Sequence, residues 1–281
     1  ELERPKRLPP DPRTEFAIVE PTVYATDGAF IASINRELQK LPRGKRDILF
    51  FVHGYNNTTS DALLRLAQFT KDSGFEGVPV LFDWASAGSL TRYVYDLNSS
   101  LIAREKIGEI GSIMARTNAE GYDIFAHSMG SFLVMEALRD QAQQGTFNKV
   151  GRLNTITLAS PDIDMDLFRA QLEQIDRKFD RFFVLLSRDD EALNISSMIS
   201  GGVPRVGASD ITELAELGVV AIDLSEVKDS SSGSHSKFAG SPEVVKLIGN
   251  GLNNNRELNR SQRATRLPEI IGSLPIAIAF D

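Results

Sequence analysis

Six short runs constrain the fold more than anything else in the chain: "ILFFVH" (48–53), "VPVLFDW" (78–84), "YDIFAH" (122–127), "LNTITLAS" (153–160), "RFFVLLS" (181–187) and "VVAIDL" (219–224). They are rich in Val, Ile and Phe and apolar at nearly every position, without the alternation of a half-wet strand. Strands apolar on both sides belong to a sheet covered on both faces. Between them, apolar residues recur at helical spacing. Thr59 to Asp72 carries Ala62, Leu63, Leu66, Ala67 and Phe69; Leu101 to Arg116 carries Ile102, Ile107, Ile110, Ile113 and Met114. Ser131 to Gln141 places Leu133, Val134, Ala137 and Leu138 on one stripe. Ser241, Pro242 and Glu243 form a cap, a first-turn proline and a first-turn acid, which open another helix. Alternating strand and helix predict an α/β fold, a mostly parallel sheet with helices on both faces.

The ends read differently. Residues 1–15 form a charged, proline-rich extended segment, one α/β domain is expected over 16–251, and "TEFAIVEPTVYATD" (14–27) is expected to add one or two early strands. Residues 252–281 read as a polar linker, "NNNRELNRSQRATR", and an apolar tail, "EIIGSLPIAIAFD", that either packs back or serves as a contact surface.

Composition narrows the partners. The 281 residues are 42% hydrophobic and 25% charged, ordinary for a globular chain, and 31 basic against 38 acidic residues give a formal charge of −7. With no long basic run, nucleic acid is not an expected partner. No apolar stretch approaches the roughly 18 residues of a membrane span. Zero cysteines exclude disulfides, a cysteine nucleophile and thiolate metal sites. A start at Glu1 in a proline-rich stretch fits a mature or trimmed form. That favours a periplasmic or secreted location over a cytoplasmic one and leaves room for a membrane tether if a signal was removed. Oligomeric state is not legible.

In a parallel sheet, functional groups gather where strands end and helices begin. "AHSMG" (126–130) lies at such a junction and approximates Gly-x-Ser-x-Gly, with Ala126 and Gly130 as the small residues around Ser128. That pattern holds a serine in a strained turn with its hydroxyl exposed. The competing reading is a helix-capping serine. A serine nucleophile needs a base, and the base an orienting acid. Of three histidines, His127 is expected to point away from Ser128 and His53 ends an earlier strand. His235, in "SSGSHSKF" after the last of the six runs, is the base by position and elimination. For the acid, Asp189 and Asp190 in "LLSRDDEAL" are better placed than Asp162 and Asp164 in "ASPDIDMD", though each is also a candidate cap or turn residue. His53–Gly54 ends the first run, and glycine there admits close backbone approach. The N–H groups of Tyr55 and Met129 are the candidate oxyanion donors. Trp84, Tyr93 and Tyr95 are candidate pocket-lining aromatics, and Met198 to Leu217 is a candidate flap.

Together "FFVHGYNN", "LFDWASAG", "YVYD", "IFAHSMG", "LASPDIDMDLF" and "SRDDEAL" resemble the α/β-hydrolase superfamily, in particular its bacterial branch of unknown function, over about residues 16 to 250. The resemblance implies a sheet of about eight strands, Ser128 as nucleophile, Asp190 as the acid of "S-x-x-D-x-A-L", and His235 as base. Asp83 and Ala85 stand where that branch usually has serine and proline. The implied activity is a serine hydrolase cleaving short- to medium-chain carboxylic esters through an acyl-enzyme, with a small-molecule ester as partner and no metal or organic cofactor. The same triad also serves thioesterases, peptidases and acyltransferases. Dehalogenases and epoxide hydrolases of the superfamily carry aspartate where Ser128 stands. A non-catalytic binding module on this scaffold is the alternative of another class.

Overall fold

The computed structural model describes residues 7, 9–11, 13–18, 20–175, 179, 181–228, 234–254 and 275–280. All six apolar runs are strands: β1 (Asp47–Val52), β2 (Val78–Phe82), β3 (Gly121–His127), β4 (Leu153–Ala159), β5 (Phe182–Leu186) and β6 (Val220–Asp223). They pair in parallel, and a seventh strand, β7 (Ala277–Ala279), adds antiparallel to β6, giving the order β2-β1-β3-β4-β5-β6-β7. Of the apolar tail, Ala277–Ala279 pack back on the body as an edge strand. The stretch 255–266 of the polar linker lies outside the described residues, while Asn253 and Asn254 still belong to the preceding helix.

Seven strands among the described residues match the expected sheet of about eight, but one expectation is corrected: among the described residues no strand forms over 14–27. Pro21 breaks the donor row, and Ile18 and Val23 are exposed, Val23 at 96%, so no buried face rewards pairing there. Instead the segment leads into a helix the periodicity reading overlooked, α1 (Asp27–Lys40). Its cap is Thr26, whose side chain accepts from Ala29 N, and it buries Ile34 and Leu38 beside Ile48 and Met114.

Helices cover both faces. On one lie α3 (Tyr93–Ala115), α4 (Met129–Gln143), α5 (Met165–Leu172) and α7 (Ile211–Glu216), around a core that includes Ile156, Leu133, Phe168 and Leu214. On the other lie α2 (Thr59–Ser73), α8 (Lys237–Gly240) and α9 (Pro242–Asn254), around Phe51, Phe69, Phe125 and Phe238. The sequence places α3 from Leu101, whereas the helix begins at Tyr93. Helix α6 (Glu191–Ile199) follows β5. Among the described residues no helix is long and apolar enough to cross a membrane.

The strand order locates the functional edge. β1 lies between β2 and β3, so the chain leaves β1 to one side and returns on the other. The carboxyl ends of β1 and β3 therefore border the crevice where open α/β sheets bind ligands. Registers such as Val52↔Ala126, His127↔Ala159 and Ala159↔Leu185 bring the loops after β1, β3, β4 and β5 to that same edge.

Two glycines of α9 test the packing. A Cβ on Gly249 would lie 1.8 Å from the Ser73 carbonyl oxygen at the end of α2, whereas one on Gly251 would meet nothing within 4 Å. Gly249→Ala is expected to cost about 1–3 kcal/mol by overpacking. Gly251→Ala is expected to gain up to about 1 kcal/mol from helix propensity. Urea unfolding of both variants decides, and midpoint shifts of the same sign would contradict the packing.

Asp123, buried within β3, accepts from Thr155 Oγ1 and from Asn154 Nδ2. Burial raises its carboxyl to about 6 despite those hydrogen bonds and the charge of Arg181. The folded chain therefore holds this proton more tightly than the unfolded chain. Its contribution is fully present below about pH 4 and is lost as pH rises to about 6. Asp123→Asn should remove that loss. The wild-type urea midpoint should fall relative to the variant's across this window, by on the order of 3 kcal/mol in stability. A pH-independent offset would contradict it.

Candidate active site

Ser128 separates the last residue of β3 from the first of α4, with φ 54° and ψ −126°. Such a backbone costs about 1–3 kcal/mol and persists only where its surroundings impose it. Here they do. Ser128 N–H donates to Ala159 O at 2.9 Å, and Ser128 O accepts from Ser131 N at 2.9 Å and Asp162 N at 3.3 Å. The first turn of α4 is pressed onto the end of β1, where a Cβ on Gly130 would fall 2.3 Å from His53 O and 2.8 Å from Val52 O. Glycine is required there. Ala126, by contrast, carries a Cβ and is a fully buried residue of β3, paired with Val52.

The same geometry separates the two readings of Ser128. Thr26, Thr58, Asp164, Asp190 and Asp210 all accept backbone N–H groups at the starts of their helices, whereas the Ser128 side chain makes no capping bond. Its hydroxyl is not spent on α4.

Gly54 lies against this turn: its Cβ, if present, would be 2.8 Å from Ser128 Cβ and 3.0 Å from His127 Nδ1. The following loop is stitched from below. Asn57 Nδ2 donates to Gly54 O at 3.0 Å and Tyr55 O at 2.9 Å. Asn57 N donates to Ser86 Oγ at 3.1 Å, and Ser86 Oγ donates to Asp96 Oδ2 at 2.6 Å. Asp96, fully buried near the start of α3, also accepts from Ala87 N at 2.8 Å and Asn56 N at 3.4 Å. The Tyr55 ring meets Tyr93 edge-on at 5.5 Å, and its hydroxyl donates to the Ser89 and Leu90 carbonyls. Burial and the nearby Asp96 charge raise the Tyr55 phenol.

His53 and Trp84 form a brace under the loop. Their rings stack at 5.2 Å, the indole N–H donates to His53 O at 2.8 Å, and Trp84 N donates to His53 Nε2 at 3.1 Å. His53 Nδ1 is 2.9 Å from Gly54 O, and Asp83 Oδ1 is 3.0 Å from Nε2. Burial lowers the His53 pKa against the opposing pull of the Gly54 carbonyl and of Asp83.

On the other side, His235 Nδ1 lies 2.8 Å from Asp190 Oδ2. Asp190 is fully buried, and its Oδ1 accepts from Leu193 N at 3.0 Å as the cap of α6. Asp190 thus caps α6 with one oxygen and meets the His235 ring with the other. His127 packs between His235 and Phe238, each ring 4.8 Å away, and its Nε2 donates to His235 O at 3.1 Å. Burial, then the His235 and Arg65 charges, hold His127 well below the usual histidine range and so neutral. Among the described residues Ser128 Oγ makes no hydrogen bond to His235; such bonds often tighten only with substrate bound.

The remaining candidates take other places. Asp189 faces Ser234 and Lys237 rather than the His235 ring. Asp162 is buried with Tyr93, whose hydroxyl donates to it at 2.9 Å, with Ser196 Oγ, and with Arg205 Nε at 3.5 Å. Burial and Asp162 raise the Tyr93 phenol. Tyr95 is exposed. The segment expected as a flap is pinned at Val206 and Gly207 to the loops after β4 and β5. Val206 N donates to Ile163 O, Gly207 N to Pro161 O, and Ser187 N to Gly207 O. Among the described residues no three His, Cys, Asp or Glu side chains come together as a metal site.

Asp96, Asn57 and Lys237 were given no role by sequence reasoning. Asp96 belongs to the quoted "YVYD", and Lys237 follows His235 by two positions; nothing local marks either as buried.

The sheet order and the strained serine at its switch point define an α/β-hydrolase fold. The sequence profile of the family described as "Alpha/beta hydrolase of unknown function (DUF900)" matches residues 27–251, and the chain belongs to that family. Among solved structures, the chain is similar to SOBER1 of Arabidopsis thaliana at 16% identity and TM-score 0.46, over 75% of this chain and 100% of that one. It is also similar to a Rhizomucor miehei fungal esterase at 14% identity and TM-score 0.43, over 75% of each chain. For the dienelactone hydrolase of Anabaena variabilis the values are 12% and 0.45, over 75% of this chain and 87% of that one. No curated protein sequence matches the chain.

Proposed function

We propose that this chain is a serine hydrolase of carboxylic esters working through Ser128, His235 and Asp190. The carrying observation is Ser128 itself: a non-glycine residue held at φ 54° at the sheet's switch point, its hydroxyl not used to cap the helix it opens. Strain of this kind is kept where function needs it. Ser128 Oγ attacks the ester carbonyl carbon while His235 Nε2 takes its proton. Asp190, bound to Nδ1, keeps the imidazole in that tautomer and steadies the imidazolium. The Tyr55 and Met129 N–H groups receive the oxyanion. Met129 offers the first N–H of α4, and Asn57 holds the Gly54 and Tyr55 carbonyls, which fixes the peptide planes of that loop. Collapse of the intermediate breaks the ester C–O bond, and His235 protonates the departing alcohol. Water, deprotonated by His235, then attacks the acyl-enzyme and releases the acid.

The segment pinned over the loop after β4 and the burial of Tyr93 and Trp84 support a modest acyl site, and we assign short- to medium-chain esters as substrates. Turnover of p-nitrophenyl esters from acetate to palmitate tests both claims. The wild type should peak below the long chains, and Ser128→Ala should lose about three orders of magnitude in kcat or more. Undiminished turnover by Ser128→Ala would sink the triad, and a maximum at palmitate would sink the chain-length assignment.

A further inference from the structure

Lys237 is a buried ammonium two residues beyond His235, only 3% exposed at its side chain. A lysine is seldom buried unless paired, because desolvating its charge is costly. Lys237 is fully paired: its Nζ donates to Asp189 Oδ1 and Oδ2, both at 2.8 Å, to Ser225 O at 2.7 Å and to Leu224 O at 3.1 Å. The two carbonyls belong to the segment that leaves β6, and Asp189 belongs to the loop that leaves β5. One ammonium thus ties together the ends of two neighbouring strands.

Asp189 completes the arrangement. It accepts from Ser234 Oγ at 2.8 Å on Oδ2 and from Ser187 Oγ on Oδ1. It therefore grips the chain on both sides of His235, at Ser234 and at Lys237, while its neighbour Asp190 grips the ring. Burial raises the Asp189 carboxyl, but the hydrogen bonds from Lys237, Ser187 and Ser234 together outweigh it and bring it to about 2. Asp189 is charged throughout the range in which a histidine base operates.

We propose that Asp189 and Lys237 are positioning residues, an ion-pair clamp that fixes the segment Ser234–Lys237 so that the His235 ring meets Asp190 and Ser128. The proposal rests on the triad reading above for its kinetic consequence, though not for its structural one. A clamp outside the reacting atoms leaves substrate binding alone and acts on the chemical step. A displacement of about 1 Å in a catalytic group can cost on the order of 100-fold.

The test uses Asp189→Asn, a near-isosteric change at a half-exposed side chain, Lys237→Met, and the double variant, in the full chain. Two readouts are taken: aryl-ester kinetics, and backbone hydrogen exchange over 234–241. Asp189→Asn should lower kcat at least tenfold with KM unchanged and speed exchange in 234–241 while the strands β1, β3 and β4 keep wild-type protection. The double variant should be no worse than Lys237→Met alone, since one clamp can be opened only once. If Lys237→Met fails to fold, Asp189→Asn alone carries the test. Wild-type kcat together with wild-type exchange in Asp189→Asn overturns the clamp, as does a proportional rise in KM without a fall in kcat. Faster exchange in 234–241 of Asp189→Asn, in a chain whose Ser128→Ala variant still turns over ester, upholds the clamp and rejects the triad.

Discussion

The contact between the first turn of α4 and the carboxyl end of β1 is the constraint on which the site depends. At Gly130 there is no room for even a methyl group between helix and strand. That closeness forces the chain to turn within one residue after β3, which puts Ser128 into a backbone conformation that side chains rarely adopt. It also aims the N-terminus of α4 at the end of β1, and it seats Gly54 against Ser128. The turn, the helix N-terminus and the glycine loop are three consequences of one packing requirement.

Hydrogen-bonded carboxylates, Asp96 and Asp190 buried and Asp189 half-exposed, hold the loops around that turn. Asp96 organises the β1 side through Ser86, Ala87 and Asn56; Asp190 and Asp189 organise the far side through His235, Ser234 and Lys237. A carboxylate withdrawn from water is tolerable only when its acceptor positions are filled, and a satisfied one fixes its partners with more directional force than apolar packing can. Loops at the carboxyl edge carry little apolar area of their own. These charged pins give them a single conformation, and they explain why a serine held in strain and a histidine on a loop of small residues keep their places.

Much of this was legible in the chain. The six strands, α2, α4 and the cap–proline–acid start of α9 follow from apolar periodicity and local cap chemistry, which depend on neighbours in sequence. Where the reading failed, neighbours in space decided. The helix α1 buries little beyond Ile34 and Leu38, and its stripe from Phe30 was masked by the strand-like residues before it. The three-residue strand β7 exists only because β6 offers an open edge. In the site, "AHSMG" and His235 could be picked out from residue type and order. Asp189 and Asp190 could not be separated by position, since adjacent residues in a turn point in different directions, and it was the family likeness that pointed to Asp190. Asp96 and Lys237 drew no reading of their own, because burial of a charge is visible only once its partners from distant segments are in place.

The central claim is that Ser128 is an activated nucleophile, and the direct measurement is the intact mass of the chain after exposure to a fluorophosphonate, followed by peptide mapping. A single adduct on the peptide that carries Ser128 is the result this structure predicts. A folded chain that takes up no adduct, or takes it up on another residue, would contradict it.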